Sequence, residues 1–291
     1  MKDQLVRATA LGGNVRAFAV STTELTEELR KRHQTTPTAT AALGRTLTAG
    51  AMMGAMLKGE EKLTIQIRGD GPIGQIVVDA NAKGEVRGYV DNPAVDLPLN
   101  EAGKLDVGGA VGFEGFIYIT KDLGLKDPYR GSTPIISGEI ADDFTYYFAK
   151  SEQTPSAVAL GVLVDVDLTV KAAGGFIVQP LPGLTDEDIS EIEIKLSKLP
   201  PVSSLLEKGA TLEEILTSIL GDVQILERMD IVFQCKCSRE RVEQTLISLG
   251  RDELAAIREE DGQAEIVCQF CNEAYQFADT EIEDVMAKIR S

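Results

Sequence analysis

Leu63-Thr64-Ile65-Gln66-Ile67-Arg68 alternates apolar and polar side chains, the stretch from Gln75 to Asp79 follows a glycine-rich break, and Asn81-Ala82-Lys83-Gly84 supplies a turn before residues 85–90. A period of two puts Leu63, Ile65 and Ile67 on one face of a strand, and short strands joined by tight turns pair antiparallel. Residues 63–90 are therefore a three-stranded meander. Outward from it, further strands are expected at residues 5–11, 15–20, 113–120, 157–166 and 176–179, and helices at 23–32, 38–57 and 142–150. Strands that mostly follow strands, with helices between the blocks, fit an α+β fold better than a repeating βαβ one.

Gln179-Pro180-Leu181-Pro182-Gly183 can continue neither a helix nor a ladder and marks a boundary near residue 180. Charge changes there as well: residues 1–184 carry 22 acidic and 18 basic side chains, residues 185–291 carry 24 and 11. Beyond the boundary, Thr185 can cap a helix with Ile189, Ile192, Leu196 and Leu199 on one stripe, ended by Pro200-Pro201. Thr211 with Glu214 forms a capping box for a second helix bearing Leu212, Ile215, Leu216, Ile219 and Leu220, ended by Gly221. Residues 181–232 thus read as a linker of short amphipathic helices. Each is near the length, roughly 12 to 15 residues, below which an isolated helix is marginal, so stability must come from what it packs on. Three regions are expected: a core at 1–180, this linker, and a C-terminal domain at 233–291. In the last, residues 239–249 and 252–258 read as helices, and Thr280 with Glu283 starts a final one.

Composition excludes several functions. With 46 acidic against 29 basic residues and a formal charge of -17, the chain is unsuited to gripping phosphate backbones, and nucleic acid is not an expected partner. A single His, His33, removes the usual base of most hydrolases, and its place after Arg30-Lys31-Arg32 suits a cation at a helix end. The N-terminal Met1-Lys2-Asp3-Gln4-Leu5-Val6-Arg7 has no apolar signal region, so a cytoplasmic location is expected. Residues 37–58, rich in Ala, Thr, Gly and Met, carry Arg45 in mid-stretch and read as a core helix rather than a membrane span. Met52, Met53 and Met56 on that helix could form an adaptable binding surface, although core packing is the plainer reading. Gly69-Asp70-Gly71-Pro72-Ile73-Gly74 lies between strands and does not open a helix, so it reads as a turn and not a nucleotide loop.

All four cysteines lie late in the chain, as Cys235-Lys236-Cys237 and Cys268-Gln269-Phe270-Cys271. In a cytosolic chain, two tight pairs read as a metal or redox centre before they read as structural disulfides. Four thiolates with no nearby His suit a soft tetrahedral site, for which Zn is the default ion; a closed four-sulfur shell makes such zinc structural. An iron-sulfur cluster and unliganded buried thiols are the alternatives. A disulfide across one intervening residue closes a strained ring of the labile, regulatory kind, and Lys236, Arg239 and Arg241 could favour thiolate or simply be solvated charge. A redox switch therefore stands beside a static zinc site.

The chain resembles the thirty-three-kilodalton chaperonin family, redox-regulated holdases of bacteria, nearly end to end. The likeness rests on residues 36–45 (Thr36-Pro37-Thr38 to Leu43-Gly44-Arg45), on Ile67-Arg68-Gly69-Asp70-Gly71-Pro72-Ile73-Gly74, on Ser151-Glu152-Gln153-Thr154-Pro155-Ser156, on Ala173-Gly174-Gly175-Phe176, and on the Cys-x-Cys and Cys-x-x-Cys pairs. The resemblance implies an ATP-independent, non-enzymatic chaperone, inactive while reduced with one Zn on Cys235, Cys237, Cys268 and Cys271. It further implies that oxidation with unfolding stress joins Cys235 to Cys237 and Cys268 to Cys271, releases the metal, unfolds the linker, and yields homodimers that hold unfolded or partly folded client proteins. Two rivals differ in kind. A constitutive zinc-ribbon interaction module would keep its metal under oxidant and should show a basic face, which residues 185–291 lack; a thiol-disulfide oxidoreductase would place Cys-x-x-Cys at a helix N-terminus in a βαβ layout, which is not expected here.

Overall fold

The computed structural model describes residues 2–289, and the chain divides into two compact units, 1–234 and 235–291. In the first, β1 (Gln4–Ala10) and β2 (Val15–Ser21) form a hairpin, then α1 (Thr23–His33) and α2 (Pro37–Gly54) precede the meander β3 (Lys62–Gly69), β4 (Gln75–Asn81) and β5 (Glu85–Val90). Next come α3 (Val107–Val111), the hairpin β6 (Gly115–Asp122) and β7 (Tyr129–Pro134), α4 (Ala141–Lys150), and the hairpin β8 (Ala157–Val164) and β9 (Val170–Pro180). Three helices follow, α5 (Asp186–Lys198), α6 (Val202–Glu207) and α7 (Leu212–Leu220), then β10 (Val223–Asp230) and β11 (Val232–Phe233). Two sheets result, one ordered β10-β1-β2-β9-β8 and one ordered β11-β5-β4-β3-β6-β7. The fold is α+β with antiparallel sheets, as the alternation in residues 63–90 requires; among the described residues only β11 runs parallel to its neighbour, β5.

The meander pairs in the register its pattern dictates. Leu63↔Ala80, Ile65↔Val78 and Ile67↔Ile76 are opposed, and all six side chains are buried. α2 packs against strands of both sheets, which is why it is built of small residues. Gly50 shows the need: a Cβ there would come within 2.7 Å of the Val78 side chain. The threonines of α2 satisfy themselves inside the core, Thr46 and Thr48 donating to the carbonyls of Ala42 and Gly44 at 2.9 and 2.7 Å. Met52 and Met53 are buried and Met56 half-buried, so these residues are core and not an open binding surface. Among the described residues no helix is long and apolar enough to cross a membrane.

The glycine-rich motif is a structural turn between β3 and β4. Asp70 accepts hydrogen bonds from the backbone N–H groups of Phe113 and Glu114 at 2.8 and 3.0 Å, and Gly71 donates to the Val111 carbonyl at 3.0 Å. Glu152, in the motif of residues 151–156, accepts from the buried Tyr147 hydroxyl at 2.7 Å and pairs with Lys121 at 2.5 Å. These motifs thus hold loops to the core.

Residues 185–232 depart from an all-helical reading. Thr185 caps its helix, in a capping box with Asp188, and the Thr211–Glu214 capping box is present. α7 buries its whole stripe, Leu212, Ile215, Leu216, Ile219 and Leu220, among Val6, Ala8, Ala17, Ala19 and Phe176. α5 docks less fully: Ile192 and Leu196 are partly buried, and Ile189 is exposed. Residues 223–230 are not helical but form the edge strand β10, because β1 offers an open ladder next to the groove that α7 fills.

Candidate metal and redox centre

The C-terminal unit is small and its core modest. Val242 and Leu246 on α8 (Arg239–Leu249), Leu254 on α9 (Arg251–Asp261), Ala264 on β12 (Gln263–Val267), Phe277 on β13 (Ala274–Ala278), and Ile282 and Val285 on α10 (Asp279–Lys288) are its buried apolar residues. Below roughly 70 residues such a core rarely suffices without a disulfide or metal staple. Ser238 caps α8, and α10 begins two residues earlier than the Thr280–Glu283 reading, with the Glu281 carboxylate accepting from the Ala278 backbone N–H at 2.9 Å.

β12 and β13 pair antiparallel from Gln263↔Ala278 to Val267↔Ala274, and the second cysteine pair sits in the turn that joins them. There Cys268 N–H donates to the Glu273 carbonyl at 2.9 Å, Asn272 N–H donates to the Cys268 carbonyl at 2.8 Å, and Asn272 takes the left-handed conformation at φ 58°. The first pair lies in the irregular segment ahead of α8, where Arg241 Nη1 donates to the Lys236 carbonyl at 2.8 Å and so shapes the short Cys-x-Cys loop. Arg239 pairs with Glu281 at 2.6 Å and stacks 4.3 Å over the Phe277 ring. Both arginines therefore have structural duties beside the cluster.

The two pairs converge. All four Sγ atoms lie within 4.8 Å of one another, with Cys235 Sγ 3.8 Å from Cys268 Sγ and Cys237 Sγ 3.2 Å from Cys271 Sγ. A tetrahedron with metal–sulfur bonds of about 2.3 Å has edges of about 3.8 Å, so the four sulfurs are close enough together that they could hold one ion, and too far apart for disulfides, which need about 2.05 Å. No other described side chain joins this metal-ligating group. Cys271 is buried and the other three are half-buried. Burial pushes the thiols of Cys271 and Cys237 up, whereas at Cys235 it is outweighed by hydrogen bonds from the Cys237 backbone and from neighbouring thiols, which bring that thiol down to about 7. Like charges gathered this closely repel one another, so several thiolates there need a cation.

Tyr275 is a contact that motif reading missed. Its hydroxyl donates to Cys237 Sγ at 3.2 Å, so β13 reaches across to the first cysteine pair. Its position in the alternation of Ala274-Tyr275-Gln276-Phe277, on the same face as the buried Phe277, was the available signal.

An α+β body with two antiparallel sheets, followed by a small unit that gathers four thiols at one point, defines a class of thiol-cluster protein whose cluster lies near the C-terminal end. The family profile described as Hsp33 protein matches residues 3–278, and the chain belongs to this family of chaperones. It is 56% identical over 291 residues to the 33 kDa chaperonin of Bacillus cereus strain B4264, covering 99% of this chain and 100% of that one. The 33 kDa chaperonin of Bacillus anthracis strain CDC 684 is 55% identical with the same coverage. The crystal structure of the 33 kDa chaperonin (heat shock protein 33 homolog) of Thermotoga maritima matches with a TM-score of 0.93 at 41% identity, over 99% of this chain and 98% of that one.

Proposed function

We propose that this chaperone is a cytoplasmic, ATP-independent holdase switched by the oxidation state of its cysteines, with no catalytic turnover and with unfolding proteins as partners. The carrying observation is the convergence of four Sγ atoms within 4.8 Å. Cys235, Cys237, Cys268 and Cys271 would hold one Zn, which fits a soft four-sulfur donor set and would supply structural closure of the unit. Apparent binding free energy at such sites is about 10 to 16 kcal/mol, whereas whole domains are stable by about 5 to 15 kcal/mol. Loss of the four ligands therefore unfolds residues from Cys235 onward.

Peroxide removes them in balanced steps. Each disulfide, Cys235 with Cys237 and Cys268 with Cys271, takes two electrons and two protons from two thiols and reduces one peroxide to two waters. The linker of residues 181–232, whose helices are too short to stand alone, then loses its folded neighbour in the chain and detaches. Leu212, Ile215, Leu216, Ile219 and Leu220, with the surface they cover, become available to clients, and two activated chains associate. The strong acidic excess argues against nucleic acid as a partner.

Zinc content before and after peroxide, measured beside suppression of aggregation of a thermally unfolding protein, tests this reading. One zinc per chain, lost as suppression appears and restored by reductant, is the expected result. Retained zinc with unchanged activity would instead establish a constitutive zinc-ribbon module. An absorption-edge spectrum of the reduced protein should show sulfur alone at about 2.3 Å.

A further inference from the structure

Residues 223–234 close a free edge on each sheet. β10 is the outermost strand of the five-stranded sheet and pairs with β1 from Gln4↔Asp230 to Ala10↔Val223. β11 is outermost on the six-stranded sheet and holds β5 by its short pairing, Val232 N–H donating to the Gly84 carbonyl at 3.0 Å and Gln234 N–H to the Val86 carbonyl at 3.2 Å. Cys235 follows immediately. Without β10, β1 would present unpaired N–H and C=O groups along about 24 Å, at roughly 3.4 Å per residue.

The way β10 is seated defines what could replace it. Gln224, Leu226, Glu227, Arg228 and Asp230 are exposed, and Val223, Ile225 and Met229 are half-buried, so no side chain of this strand is fully buried. Its register also shifts between Arg7 and Ala8. The strand is held by its backbone ladder and by three apolar side chains. Such a seat recognises extended backbone with apolar residues at spaced positions and little else of the sequence. Beside it lie Val6, Ala8 and Ala10, which α7 covers with Leu216 and Ile219.

We propose that the edge of β1, vacated when residues 185–234 detach, binds an extended segment of an unfolding protein as an added strand. The inference rests on the redox-switch reading and assigns that reading its client chemistry: polypeptide in β conformation with intermittent apolar side chains, which folded proteins keep paired and unfolding ones expose. In the reduced state β10 acts as the internal competitor and occupies the client seat. A second copy's β10 offers the same backbone, but each β10 faces its own β1 at an effective concentration of about millimolar for a short tether. A β10 that has left that partner has no added contact to gain from an equivalent edge on another chain.

Hydrogen exchange of the full-length oxidised protein, with and without reduced carboxymethylated lactalbumin as a permanently unfolded client, tests this. Those amides of residues 4–10 that donate toward β10 should be protected in the reduced protein, exchange quickly after oxidation while the amides bonded to β2 stay slow, and slow again by about tenfold or more in the client complex. A synthetic peptide of the β10 sequence should displace the client, and the same peptide with Ile225→Pro and Glu227→Pro should not. Fast exchange at these amides of residues 4–10 while client remains bound would overturn the inference, as would protection without client that grows with protein concentration, or a β10 peptide that fails to compete. If full oxidation leaves residues 223–230 protected, or no client is captured, the redox-switch reading itself falls and this inference with it.

Discussion

Leu216→Ala isolates the docking of the linker from the chemistry of the cysteines. Leu216 is fully buried against a cluster containing Val6, Ala17, Ala19 and Phe176, and no thiol belongs to that cluster. Truncating such a leucine costs about 2 to 5 kcal/mol, because the transfer free energy and the contacts around the resulting cavity are both lost. α7 has nine residues and cannot offset this by helix propensity. A loss of about 3 kcal/mol changes the docked-to-detached ratio by roughly 150-fold, at about 1.4 kcal/mol per factor of ten. Amides of residues 212–230 in the reduced protein should then exchange on the order of 100-fold faster, while β3, β4 and β5 keep their protection. Part of the client capture should appear without oxidant. The readouts are exchange by mass spectrometry and aggregation of a thermally unfolding protein, both under reductant. If the meander gains exchange by the same factor as α7, the linker does not detach separately from the core and the reasoning is refuted; acceleration confined to a few amides around residue 216 would refute it as well.

Three further outcomes follow from the centre and the core. Cys268 and Cys271, which share the tight β12–β13 turn, should oxidise before Cys235 and Cys237, whose disulfide would close a strained ring, and mild heat should speed the second bond; alkylation trapping during cold and warm peroxide treatment reads the order, and equal rates at every temperature would exclude it. Tyr275→Phe removes the hydroxyl that donates to Cys237, so the first pair should oxidise several-fold faster with the second pair unchanged, whereas a merely structural effect would move both. Burial raises the Asp3 carboxyl to about 6, against the opposing hydrogen bond from Leu25 N–H at 2.7 Å. Since the folded value lies above the unfolded one, its contribution is fully present below about pH 4 and is lost as pH rises through 6; denaturant stability of the wild type relative to Asp3→Asn should therefore fall by up to about 3 kcal/mol between about pH 4 and pH 7, and a flat difference would contradict the assignment.

Much of this molecule is legible in its sequence because the relevant signals are local. The alternation of Leu63, Ile65 and Ile67 dictates a strand face whatever it pairs with, and Thr211 with Glu214 closes its capping box within one helical turn. Two close cysteine pairs in a chain with no other cysteine already suggest a single soft-ligand site. Tertiary structure decided the rest. Val223-Gln224-Ile225-Leu226-Glu227-Arg228-Met229-Asp230 follows a run of helices and becomes a strand because β1, more than two hundred residues earlier, has an unpaired edge. Ile189 and Ile215 lie on similar amphipathic stripes, yet only Ile215 is buried, because the groove over β1 and β2 accommodates α7 fully and α5 in part. The Tyr275 hydroxyl meets Cys237 only because a hairpin and an irregular loop converge. Side-chain period and capping are written over a few neighbouring residues, whereas the partner of an edge strand, the depth of a groove and the reach of one hydroxyl depend on backbone that the chain brings together from far apart.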